Sequence, residues 1–174
     1  MTLMGKEVFF DTKDMIVSKT DMKGHLTYAN DIFLVIAGYT EEDVLGKPHN
    51  LIRHPFMPRC VFKLLWDTIS QGVEIFAYVV NLTKNGDYYW VLAHVTPSFD
   101  SNQNIIGFHS TRRVPNSETI QNKIIPLYRK LCEIENSEAN SKVGIQKSFD
   151  HLVSILNDAD IDYDEFVSTL MHAA

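Results

Sequence analysis

Cysteine is scarce in this chain, with 2 among 174 residues. Cys60 and Cys132 form neither a CxxC metal knuckle nor a disulfide framework, so two reduced thiols are expected. Basic charge is thin as well: 16 Lys and Arg stand against 22 Asp and Glu, for a formal net charge of -6. The basic residues are scattered, with no stripe to neutralise phosphates, which argues against nucleic-acid binding. No run approaches the roughly 18 apolar residues of a membrane span, and the start MTLMGKEVFF lacks the apolar stretch of a signal peptide. A cytoplasmic protein without direct membrane insertion is therefore expected. Repeats and low-complexity tracts are missing, which excludes solenoids. So are GxSxG, P-loop, Rossmann and HExxH signatures, and an enzyme is not expected. The alternating acids Asp158, Asp160, Asp162 and Asp164 suggest a calcium loop, but Tyr163 stands where glycine is needed and Thr169 where the bidentate glutamate belongs.

What is present is the balance of a folded soluble domain, with 45% hydrophobic and 22% charged residues. The length suits one domain with a helical appendage and is too short for two full cores. Residues 16–20 and 26–28 read as strands around Asp21-Met22-Lys23-Gly24, a turn in which glycine supplies the unusual backbone angles. Asn30 and Asp31 open a short helix over Ile32, Phe33, Val35 and Ile36 that stops at Gly38, and Thr40 caps a second one. From Pro58 onward, Val61, Leu64, Leu65, Trp66 and Ile69 fall at helical spacing before Gly72. Three further strands over 75–83, 88–97 and 105–113 are separated by turn chemistry at 84–87 and 100–104.

The predicted fold class is α+β, a five-stranded antiparallel sheet with short helices over one face. Such a cup leaves a cavity between sheet and helices, a usual place for a small molecule. Beyond Pro115, Ser117 is placed to cap a helix over Ile120, Ile124, Leu127, Tyr128 and Leu131, kinked or split at Pro126. Two more amphipathic helices follow, over 143–156 and 162–170.

Five motifs stand in order across 21–113: Tyr28-Ala29-Asn30-Asp31-x-Phe33, Ala37-Gly38-Tyr39-Thr40, Leu45-Gly46-Lys47-Pro48-His49-Asn50, Arg53-His54-Pro55-x-Met57-Pro58 and Lys84-Asn85-Gly86-Asp87-x-Tyr89-Trp90-Val91. On these residues the stretch resembles the PAS domain of bacterial aerotaxis receptors, an energy-sensing family that binds FAD without covalent attachment. Gly-Tyr-Thr occurs in most PAS domains, whereas the Arg-His-Pro-x-Met-Pro run after Pro-His-Asn is far more specific to this group. The resemblance implies a PAS fold and assigns Asn30, Arg53, His54, Trp66, Asn85 and Trp90 to the FAD pocket or its wall. Arg53, permanently charged and with five donors, suits a pyrophosphate or a flavin carbonyl. His54 suits a donor to a ring oxygen, a haem ligand or a ring tucked under Pro55. Trp66 and Trp90 are also ordinary core aromatics, and Asn85 is first a hairpin residue.

Two departures from the family bear on the pocket. Phe56 stands where an acid is common, and Tyr78 where glycine is. They keep haem as an alternative cofactor, with His54, or else His94 or His109, as axial ligand. They also favour a third reading, a cofactor-free interaction module with a filled pocket. The context Pro58-Arg59-Cys60-Val61 does not match the Asn-Cys-Arg of blue-light photoreceptors of this fold. The family's receptors carry membrane helices and a signalling domain, and the present sequence resembles the bipartite alternative. Residues 1–14 are then an N-terminal cap, 15–115 the PAS sensor and 116–174 a helical region. That region couples to a membrane chemoreceptor, pairs with a second copy in a homodimer, or packs back as a lid. The function expected is a redox or oxygen sensor that binds FAD and signals in trans.

Overall fold

The computed structural model describes residues 3–172. Strands β1 (Ile16–Thr20) and β2 (Leu26–Ala29) form the first hairpin. The Asp21 carboxylate shapes its turn by accepting from the backbone N–H groups of Lys23 at 2.8 Å and His25 at 2.9 Å, a local bond that short acidic side chains favour in turns. Strands β3 (Ile75–Leu82), β4 (Tyr88–Phe99) and β5 (Ile105–Arg113) follow as a meander. All five make one antiparallel sheet in the order β2-β1-β5-β4-β3. The fold class expected from the residue pattern is the one observed.

Between β2 and β3 lie α1 (Asp31–Ala37), α2 (Glu41–Val44), a 3-10 turn (His49–Ile52) and α3 (Arg59–Ser70). α2 starts with a reciprocal cap, Asp43 N–H donating to the Thr40 hydroxyl and Thr40 N–H to the Asp43 carboxylate. Side chains alternate across a strand. On β3 and β4 the inner face therefore receives Val79, Asn81, Ala93 and Val95, and the outer face Tyr78, Val80, Trp90 and Leu92.

The C-terminal segment makes a second helical layer, on the outer face. It runs through α4 (Ser117–Thr119), a π turn (Ile120–Ile124), α5 (Ile125–Asn136), α6 (Ser141–Asp158) and α7 (Tyr163–His172). Asn116, not Ser117, caps the start, accepting from Thr119 N–H at 2.9 Å. Asn116 has the extended backbone that a cap requires, and Ser117 is already helical. Nor does Pro126 split the helix. The wide turn before it, closed by Ile125 N–H donating to the Ile120 carbonyl, loosens the backbone where the proline lacks a donor. The Tyr128 hydroxyl of α5 donates to the Tyr78 carbonyl at 2.5 Å, its ring lies 5.9 Å from Trp90, and α7 rests against β3. The helical region is thus packed on its own sheet.

Candidate functional site

A cleft opens between α3 and the inner face of the sheet. It encloses about 630 Å³ with its mouth included, of which about 60 Å³ admits the centre of a water molecule. Its helix side is apolar, built by Phe62, Leu65, Trp66 and Ile69 of α3. Helical spacing brings these four to one face. Its floor is polar, with Ser18 and Thr20 from β1, Asn81 from β3, and Ser110 and Arg112 from β5. His49 and Arg53 close one end. The backbone of Arg53 bridges to that of Asn81, which ties the loop before α3 to the edge of the sheet.

Two guanidinium groups line this cleft and no carboxylate does. Arg112 is 3% exposed, and its Nη2 donates to the Ser18 hydroxyl at 2.7 Å and to His49 Nε2 at 2.6 Å. Burial pushes the Arg112 guanidinium down to about 10. Arg53 donates from Nη2 to the Met57 carbonyl at 3.3 Å and lies 5.6 Å over the Phe62 ring. Tyr89, opposite Asn81 in the register, is fully buried, and burial pushes its phenol up to about 12. Eight buried side-chain polar atoms among the described residues have no hydrogen-bond partner, and five of them belong to residues that line this cleft: Thr20, Arg53, Asn81, Ser110 and Arg112. Folded proteins leave few such atoms unpaired, so a cluster around one cleft points to a missing partner that accepts several hydrogen bonds.

Of the residues assigned by resemblance, Arg53 and Trp66 line the cleft and the other four do not. Asn30 is the cap of α1, accepting from Phe33 N–H and Val17 N–H at 3.0 Å and donating to the Met15 carbonyl at 2.8 Å. His54 is 2% exposed and lies beside Tyr88, its Nδ1 accepting from Phe56 N–H at 2.9 Å. Burial lowers its pKa, partly offset by the Met4 carbonyl. Asn85 sits exposed in the β3–β4 turn. Trp90 faces the outer layer, where it borders a second cavity with Glu7, Phe10 and Ile120. The asparagine in the cleft is Asn81, four residues earlier, and Ser110 and Arg112 join it. Period-two alternation along β3 and β5 is the signal that could have found them.

The two departures take on a different meaning. Phe56 packs edge-on against Trp90 at 6.5 Å, and Tyr78 points to the outer face, so neither fills the cleft. The histidines considered for haem are also elsewhere. His94 stacks on Phe76 at 4.1 Å and meets Glu74 at 2.7 Å, and neither His109 nor His54 is among the lining residues. The histidine that does line the cleft, His49, has its Nε2 engaged by Arg112.

An antiparallel sheet roofed by short helices over a donor-rich cleft is the architecture of a sensory domain. The chain belongs to the PAS family, whose profile, described as PAS fold, matches residues 26–112. The aerotaxis receptor of Escherichia coli (strain K12) is 39% identical over 116 residues, covering 67% of this chain and 22% of that protein. The nitrogen fixation regulatory protein of Klebsiella pneumoniae is 28% identical over 81 residues, 47% of this chain and 16% of that protein. The chain spans less than a quarter of the length of either relative. Among solved structures, the dark state of the blue-light photoreceptor Aureochrome1 LOV shares the fold with a TM-score of 0.55 at 24% identity, covering 69% of this chain and 86% of that one.

Proposed function

We propose that this chain is a redox or oxygen sensor whose cleft holds the ring system of a flavin, FAD in particular. One observation carries this reading: the cleft gathers unpartnered donors from Arg53, Asn81 and Arg112, with no acid to satisfy them. The oxygen- and nitrogen-rich edge of a flavin ring offers several acceptors to such a set. The likeness to an aerotaxis receptor supports FAD as the flavin. A bound flavin supplies a ring that gains and loses electrons with the redox state of its surroundings. Around it Arg53 and Arg112 hold positive charge in a site of low dielectric, which favours a guest that bears negative charge. Leu65, Ile69 and Trp66 exclude water from the other face. Only about 60 Å³ of the cleft admits the centre of a water molecule, so binding of a three-ring system is expected to move the half-buried Phe62 and Trp66 outward.

Residues 1–14, 15–115 and 116–174 serve in this reading as cap, sensor and coupling region. The whole acts in the cytoplasm and reports in trans to a chemoreceptor or another signalling protein, alone or as a homodimer. The test is reconstitution of the purified chain with FAD. Flavin absorbance is expected to elute with the protein. Arg112→Met and Asn81→Ala are each expected to raise the Kd for FAD by about tenfold or more, while Asn85→Ala leaves it unchanged. A colourless protein whose melting temperature ignores added FAD would overturn the proposal, since a ligand of the native state must raise it.

A further inference from the structure

Glu135 on α5 is the only acid buried among the described residues, at 3% exposure. Both of its oxygens are spent on α3: Oε1 accepts from Cys60 N–H at 2.8 Å, and Oε2 from Arg59 Nε at 3.1 Å. α3 starts at Pro58 without a side-chain cap of its own. A carboxylate from another helix therefore satisfies an orphan N–H at the positive end of α3. Arg59 reaches on to α6, its Nη1 donating to the Ser141 hydroxyl at 2.6 Å. The Ser148 hydroxyl of α6 lies 3.1 Å from both Cys60 Sγ and the Leu131 carbonyl. Gly144 lets α6 cross close to α5 at this point, because a Cβ there would run into the Glu135 carbonyl. The C-terminal layer thus grips the first turn of the helix that carries Phe62, Leu65, Trp66 and Ile69 into the cleft. Glu135 also acts on the cleft's Arg53, since its charge opposes the lowering of the Arg53 pKa by burial. Glu135, Ser141, Gly144 and Ser148 lie beyond residues 26–112, the segment that matches the family, whereas Arg59 and Cys60 lie within it.

We propose that Glu135 is a positioning residue that holds the cleft wall from the C-terminal layer and couples that layer to occupancy of the cleft. The inference rests on the reading of the cleft as a flavin site. A guest that seats against Phe62, Leu65, Trp66 and Ile69 fixes the position of α3. The carboxylate of Glu135 is held by Arg59 and the Cys60 N–H, and both belong to α3. Occupancy of the cleft in this way tightens the contact of α5 and α6 with α3, and the signal leaves through the helical layer.

Hydrogen exchange on the full chain tests this. Without ligand, Glu135→Gln is expected to exchange roughly tenfold faster than wild type in the first turn of α3 and at the start of α6. Saturating FAD is expected to slow exchange across 59–70 and 125–148 in wild type, and across 59–70 only in Glu135→Gln. Wild-type exchange rates in the variant, or equal FAD protection of 125–148 in both proteins, would overturn the proposal. Should Glu135→Gln fail to fold, ligand-free Arg59→Met, which removes the contact to Oε2, decides. It is expected to change exchange across 125–148 by about threefold or more, and no change sinks the coupling. If wild type takes up no FAD, the flavin reading fails, while the ligand-free measurements still judge Glu135.

Discussion

Arginine carries donors and no acceptor, so the 2.6 Å contact between Arg112 Nη2 and His49 makes Nε2 the acceptor and the imidazole neutral. Burial, and then the guanidinium, push His49 down to about 3. An unfolded histidine titrates near about 6.5. Between those values the unfolded chain binds the proton and the folded one does not. The stability His49 contributes is therefore complete above about pH 6.5 and is lost as pH falls toward 3. Burial also lowers His54 and His109, which gives the same sign. The urea midpoint of wild type is expected to fall between about pH 7.5 and about pH 5, and His49→Gln, which keeps an acceptor for Arg112, to fall less. Equal slopes would remove His49 from this account. Legibility at this scale followed motif density. Arg53 stood out within a dense motif, whereas Asn81 lies in an ordinary strand run and Arg112 at a strand end, where each resembles a surface residue until the register shows which face it takes.

Local chemistry also sets one wall of the cleft. Gly24 closes the first hairpin with φ at +80°, and a Cβ there would stand 2.8 Å from the Trp66 indole. Trp66 meets Phe108 edge-on at 5.4 Å, so the hairpin pins an indole that borders the cleft. Gly24→Ala is expected to cost about 1–2 kcal/mol from backbone strain and displacement of the ring, read by urea denaturation, and to weaken FAD binding in the same preparation. Unchanged stability would mean that the turn relaxes without moving Trp66. Turns and short helices such as these were legible because their signals are local: a side chain bonded two residues on, a capping pair, a glycine stop. The way α5 and α6 cross was not. An amphipathic stripe announces that it will be covered without naming what covers it, and the contact here is set by Glu135, Gly144 and Ser148, none of which belongs to an apolar stripe.

For the molecule as a whole, the C-terminal layer is where the alternatives meet: a tail with an open apolar stripe would offer it to a partner, and a lid would not. Here Ile120, Ile124, Tyr128 and Leu131 are each 2% exposed or less, and they cover an outer sheet face that carries Tyr78, Val80 and Trp90. Burying side chains of this size contributes about 1.5–3 kcal/mol each, so the four together are comparable with the whole stability of a marginally stable domain. A chain ending at residue 115 exposes that face, and a contiguous apolar patch drives association. The 1–115 fragment is therefore expected to melt more than about 10 °C below the full chain and to elute in light scattering as an oligomer or aggregate. A monomeric fragment with the melting temperature of the full chain would show instead that the layer is a detachable tail. In that case a signal would leave by release of the helices, whereas an inseparable layer requires the state of the cleft to be passed on through the hold on α3.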